Sequence, residues 1–156
     1  MADGGIQRIY AACLKQRATW HSHSCLHFAA ELSQAQTGVD PIEKIRGTFR
    51  TRREALAIER TFGRNRRTSA DGLAEFCGWT PVSLLYAKPG ALGLVRAGRK
   101  LVAACLTPDG WAHRTRLGFR ITRTAECAWK ISQEESANVW RDRDAFTRPY
   151  AAPPDK

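Results

Sequence analysis

The sequence predicts an α+β domain in which helices come first and a small antiparallel sheet follows. Three observations predict it. As far as Gly78, apolar residues recur at helical spacing between capping residues and glycine stops. Beyond Pro81 the spacing shortens toward alternation over Ala91–Val95, Lys100–Leu106 and Leu117–Thr122. Turn sequences, not helix-length crossovers, separate those stretches, which is the segregated α-then-β pattern. Residues 1–131 are expected to form this domain, with residues 132–156 as a C-terminal extension.

The first helix rests on Ile6, Ile9, Tyr10, Cys13 and Leu14, which form one stripe at i, i+3, i+4, i+7 and i+8. A second begins just after Trp20-His21-Ser22-His23-Ser24. Ser22 or Ser24 can cap it, and Cys25 falls in its first turn. Leu26, Ala29, Ala30 and Leu32 supply its buried stripe, and Gly38 stops it. Residues 39–50 read as a connector with a short Ile42–Ile45 turn. Thr51-Arg-Arg-Glu54 and Thr68-Ser-Ala-Asp71 have the capping-box pattern, so each is expected to open a helix, ending at Gly63 and Gly78. In the second half, Arg96-Ala-Gly-Arg99 and Thr107-Pro-Asp-Gly110 are turns between strands. A short element around Ala128-Trp129-Lys130-Ile131 follows. A last helix is expected near Glu135–Phe146, then a flexible or partner-bound tail.

The 156 residues suffice for one domain, and 43% hydrophobic residues suffice for its core. A mean hydropathy of −0.43 and no apolar run near the roughly 20 residues of a bilayer span argue for a soluble chain. The first residues lack a basic segment and an apolar stretch, so no signal peptide is expected. Five cysteines, at 13, 25, 77, 105 and 127, are odd in number and lack a C-x-x-C pair. That favours free thiols in a reducing compartment over a disulfide framework.

Net charge is +10, mostly from arginine. Lys44, Arg46, Arg50, Arg52, Arg53, Arg60, Arg64, Arg66 and Arg67 form a belt, with 64–67 expected in a loop. Arg52, Arg53, Arg60, Arg64, Arg66 and Arg67 are candidates for binding a partner's carboxylates or a phosphate backbone. Zinc fingers, RNP aromatics and a GXXG loop are all missing from the sequence, which disfavours sequence-specific nucleic-acid readout. Trp140, Phe146 and Tyr150 are candidate interface anchors in the polar C-terminal segment.

Two constellations could carry chemistry. A thiol at a helix start feels the positive helix end and its unpaired amides, which favour thiolate, so Cys25 is a candidate nucleophile. His21-x-His23-x-Cys25-x-His27 has the density of a metal site, and His23 and His27 are four apart. A site needs three or four converging ligands, and no later cluster supplies the rest. No metal and no cofactor is expected.

Trp20-x-x-x-Ser24-Cys25, Thr37-Gly38-x-Asp40-Pro41, Arg46-Gly47-Thr48-Phe49, Pro89-Gly90-Ala91-Leu92-Gly93-Leu94-Val95 and Ala128-Trp129-Lys130-Ile131 occur in that order. Together they resemble a phage and prophage branch of the NlpC-type papain-like cysteine hydrolases, over roughly residues 5–131. The resemblance implies a papain-like fold with the cysteine helix packed on the sheet, in a setting of tail-assembly and tail-tip proteins. The chain departs from the branch at several points. Ser24 stands where an aspartate precedes the cysteine, His21 replaces a glycine, and Ala91 replaces the acid opening the strand. The strand that would begin with the base, Leu101–Cys105, has no histidine. His113, one strand later, is the remaining candidate base.

Three functional expectations follow, in order. The first is a phage or prophage tail-associated structural or assembly protein with a catalytically degenerate papain-like fold. It would pass from host cytoplasm to the tail and contact other tail or tail-tip subunits. The second is a peptidoglycan peptidase or amidase using Cys25 and His113. The third is a small basic protein that binds nucleic-acid backbone.

Overall fold

The computed structural model describes residues 2–16 and 24–131. Four helices, α1 (Ala2–Lys15), α2 (Cys25–Thr37), α3 (Arg52–Phe62) and α4 (Arg66–Cys77), precede the strands. The strands are β1 (Thr80–Val82), β2 (Leu92–Ala97), β3 (Lys100–Thr107), β4 (Gly110–Arg114), β5 (Phe119–Thr122) and β6 (Cys127–Lys130). They form one antiparallel sheet in the order β1-β6-β2-β3-β4-β5. The α+β expectation is met. β1 and β4 complete a sheet in which the alternation marked three strands and a short fourth element.

Local chemistry explains where each helix starts. Ser24 caps α2, its Oγ accepting the His27 N–H at 3.2 Å. Gly38 ends α2 at φ 81°, a left-handed conformation that suits glycine, and returns its N–H to Gln34 O. Thr51 caps α3 by accepting the Glu54 N–H, while the Glu54 carboxylate takes the N–H of Arg50 at 2.7 Å. The fourth helix corrects an expectation. It opens at Arg66, capped by Asn65, and Thr68 is its third residue rather than its cap. Asn65 Oδ1 accepts the Thr68 N–H at 3.0 Å, and Thr68 Oγ1 accepts the Asn65 N–H at 3.1 Å. A side-chain acceptor was available one turn earlier, so the helix starts there. Arg66 and Arg67 are therefore helical, not in a loop.

The sheet has two differently covered faces. Leu92, Leu94, Cys105, Ala112 and Trp129 share a core with Phe28, Ala29, Ala30 and Leu32 of α2. Ala91, Val95, Ala104, Trp111 and Ala128 form a second cluster on the opposite face. Period-two alternation assigns every strand residue to one side or the other. The helix side is pinned by polar bonds as well. Ser33 Oγ donates to Gly90 O at 2.7 Å, and the Gln36 amide donates to Leu106 O at 3.0 Å. Gly90 has φ 104°, and a Cβ there would collide with Thr37 Cγ2, so the glycine of the Pro89-Gly90 strand start is required by geometry.

Two apolar residues fall outside the expected core. Leu14, assigned to the α1 stripe, is 65% exposed. Leu117, expected inside a strand, is 71% exposed. Thr115 N–H bonds to Gly118 O, closing a turn that leaves Leu117 outside the ladder, so β5 begins at Phe119. No described helix is long and apolar enough to cross a membrane.

Candidate functional site

Cys25 is the first residue of α2, half-buried, and lines a cavity of about 170 Å³. The start of α2 and Phe49 form one wall. Leu56, Ile58 and Phe62 of α3 and Leu73 of α4 form another, and Leu92, Leu94 and Trp129 of the sheet close the floor. Polar groups reach the lining at few points. Ser24 and Cys25 lie at the helix end; Glu59, Arg66 and Ser69 lie between α3 and α4. Glu59 and Arg66 are an ion pair at 2.6 Å, and Arg66 also donates to Leu101 O at 2.7 Å. These groups are committed to holding α3, α4 and β3 together.

Beside the cavity wall lies a polar cluster. Ser24 Oγ and His27 Nδ1 are 2.7 Å apart, and the Ser24 N–H approaches the same nitrogen at 3.4 Å. His27 is 1% exposed and its ring lies 5.4 Å from that of Phe49. It acts as the third-position partner of a capping box, the place glutamate often takes. Cys25 and His27 are two residues apart, a spacing at which helical side chains do not face each other. His27 is thus a buried part of the helix cap. Among the described residues no group of three ligating side chains could hold a metal ion. His21 and His23 lie outside the described residues.

The connector after α2 extends this cluster. Burial by itself would raise the Asp40 carboxyl. The Arg46 guanidinium, at 2.8 and 3.0 Å, and the Ile42 N–H outweigh that and hold it below its usual range. His27 adds to the lowering. Pro41 O accepts the Trp79 Nε1–H at 2.8 Å, and Thr37 Oγ1 donates to Ser33 O at 2.8 Å. The Thr37–Pro41 and Arg46–Phe49 motifs therefore fasten the connector beneath the cavity.

His113 lies elsewhere. Ala112 belongs to the helix-side core and Trp111 to the opposite cluster. Alternation places His113 with Trp111, on the face turned away from α2 and Cys25. It is 3% exposed, and burial pushes its pKa down, assisted by the Arg120 charge on the paired strand. The structure thus does not bring the two candidate catalytic residues together.

The arginine belt divides in two. Arg46 holds Asp40, Arg66 holds Glu59, and Arg67 holds Asp71 at 2.5 Å while lying 5.6 Å over the Trp129 ring. Each of these three has a carboxylate partner within the fold, and the Arg66 and Arg67 side chains stay exposed. Arg52, Arg53, Arg60 and Arg64 are exposed and have no carboxylate partner among the described residues. Trp140, Phe146 and Tyr150, the expected interface anchors, lie outside the described residues.

Sequence reasoning missed the cavity, and with it Leu56, Phe62 and Leu73. A partial signal existed in the Ala55, Ile58, Phe62 spacing of α3. It also missed the apolar side chains of the single-turn segment Leu84–Tyr86, where Leu85 is 89% exposed.

A family model described as a domain of unknown function (DUF6950) matches residues 4–131. No curated protein and no solved structure matches the chain.

Proposed function

The chain belongs to the DUF6950 domain family, and we propose that it works as a non-hydrolytic assembly protein built on a papain-like, NlpC-type scaffold. The observation that carries this reading is the cavity beside Cys25. Its walls are mostly apolar, and the candidate base His113 stands on the other face of the sheet. General base catalysis needs a proton acceptor within hydrogen-bond reach of the nucleophile, directly or through one water. An apolar socket instead favours insertion of a partner's side chain. Exposed Leu84, Leu85 and Tyr86, together with the outward arginines of α3, add partner-facing surface. The ordered motifs that resemble the phage and prophage branch support tail or tail-tip subunits as those partners. They also support a path from host cytoplasm into a phage-like particle.

The test is complementation of particle assembly in a host lacking this protein. Cys25→Ala is expected to restore particles to wild-type yield. The combined Arg52→Glu and Arg60→Glu variant is expected to lower the yield. Loss of assembly on Cys25→Ala with the fold intact overturns the reading.

The second reading is a cysteine peptidase or amidase acting on peptidoglycan. It is favoured by one observation, the place of Cys25 at the amide-bearing end of a 13-residue helix on the cavity wall. Release of peptidoglycan fragments by the wild type, and not by Cys25→Ala, would establish it.

A further inference from the structure

We infer that the cavity at the start of α2 is a receptor for one apolar side chain presented by an acidic segment of a protein partner. The inference deepens the assembly reading above and rests on it. Three features select the occupant.

The first is size. An apolar cavity of about 150 Å³ takes a benzene-sized guest. The 170 Å³ here suits one phenylalanine- or leucine-sized side chain. The second is lining chemistry. Phe49, Leu56, Phe62, Leu94 and Trp129 offer dispersion contacts and almost no hydrogen-bonding capacity, so the inserted group must itself be apolar.

The third is charge on the helix that walls the socket. Arg52, Leu56 and Arg60 are spaced four apart on α3, so they form one row along the helix. Leu56 lines the cavity while both arginines are exposed, flanking it on either side. Arg53 stands beside this row, seven residues before Arg60. None of the three meets a carboxylate among the described residues. The arginine that does line the cavity, Arg66, is already neutralised by Glu59. Exposed arginines on a helix that walls an apolar socket are complementary to an apolar anchor flanked by aspartate or glutamate. These charges would steer the encounter and set its orientation, and the socket would hold the anchor.

The experiment uses the full chain and a capped peptide, Glu-Asp-Gly-Phe-Gly-Asp-Glu, as the probe. Two control peptides replace Phe with Ala, or every acidic residue with Lys. Cys25 lines the socket, so its alkylation by iodoacetamide, followed by mass spectrometry, reports occupancy. The acidic Phe peptide is expected to slow Cys25 labelling, and neither control should do so. The combined Arg52→Glu and Arg60→Glu variant should weaken protection about tenfold, as expected for losing attraction at two charged sites. Ala70→Phe, which fills the socket from α4, should abolish it. Because Ala70→Phe could disturb folding, the surface arginine variant carries the decision. Equal protection by the Lys peptide, or an unchanged response in the arginine variant, overturns the inference. So does protection by decanoate without protection by the peptide, which would assign the socket to a lipid-like anion. Failure of the peptide, with particle assembly still restored by Cys25→Ala, removes this inference and leaves the assembly reading standing. Peptidoglycan cleavage that depends on Cys25 removes the assembly reading itself.

Discussion

The two ends of α2 meet the sheet in opposite ways. At the C-terminal end, Ser33 and Gln36 donate to Gly90 and Leu106 carbonyls, Gly38 closes the helix, and Gly90 packs directly under Thr37. At the N-terminal end, Ser24 and His27 Nδ1 bond each other within the turn, and Cys25 lines a cavity. One end spends its polar groups on fastening the helix to β2 and β3. The other borders a mostly apolar cavity. Among the described residues, α2 is fastened to the sheet by side-chain hydrogen bonds at its C-terminal end and borders a cavity at its N-terminal end.

The largest effect tests the fastening. Leu32, fully buried between α2 and the sheet, should cost about 2–5 kcal/mol on Leu32→Ala, read by urea unfolding. A cost of about 0.5 kcal/mol or less, within the range of ordinary surface changes, would break the comparison. Ser33→Ala should cost about 1–3 kcal/mol, because it removes the hydroxyl donor and leaves the buried Gly90 carbonyl without it. Ser24→Ala, at the open end, should cost about 1 kcal/mol as the loss of one cap. If Ser24→Ala costs more than Ser33→Ala, the open end is the more strongly held one.

The smallest effect sharpens the picture across the sheet and is read from pH. His113, on the far face, has its pKa lowered mainly by burial. The unfolded chain therefore binds its proton first as pH falls. The stability linked to neutral His113 is complete above its unfolded pKa, about 6.5, and declines as pH drops from there toward the lower folded value. His113→Gln should flatten unfolding free energy against pH over that window. Asp40 behaves differently because its folded pKa is held below the ordinary value. Its contribution is present above about pH 3.9 and is lost only as pH falls further, through the folded value. Asp40→Asn should therefore leave the slope near pH 6 unchanged.

How much of this was legible depended on the range of the chemistry. Gly38 and Thr51 act on amides within one turn of themselves, so the end of α2 and the start of α3 could be read directly, while the start of α2 was narrowed to a cap at Ser22 or Ser24. The Asp109-Gly110 hairpin was legible for the same reason. The start of α4 was not, because Asn65 and Thr68 both offer side-chain acceptors and both take part in the capping box that opens the helix at Arg66. At Gly72 a Cβ would collide with the Phe62 carbonyl, which shows how closely α3 and α4 approach. The candidate site divides similarly. Cys25 could be placed at a helix start from its neighbours alone. Its cavity could not, since Leu56, Leu73, Leu94 and Trp129 converge only after the sheet has formed. The face of His113 followed once Ala112 was placed in the helix-side core, and no local pattern revealed that beforehand.

We propose that Cys25 borders a docking socket and is not a working nucleophile. The most direct measurement incubates purified peptidoglycan with the wild-type chain and with Cys25→Ala, and quantifies released fragments by mass spectrometry. The same background release is expected from both. Release by the wild type that disappears in a folded Cys25→Ala variant would contradict it.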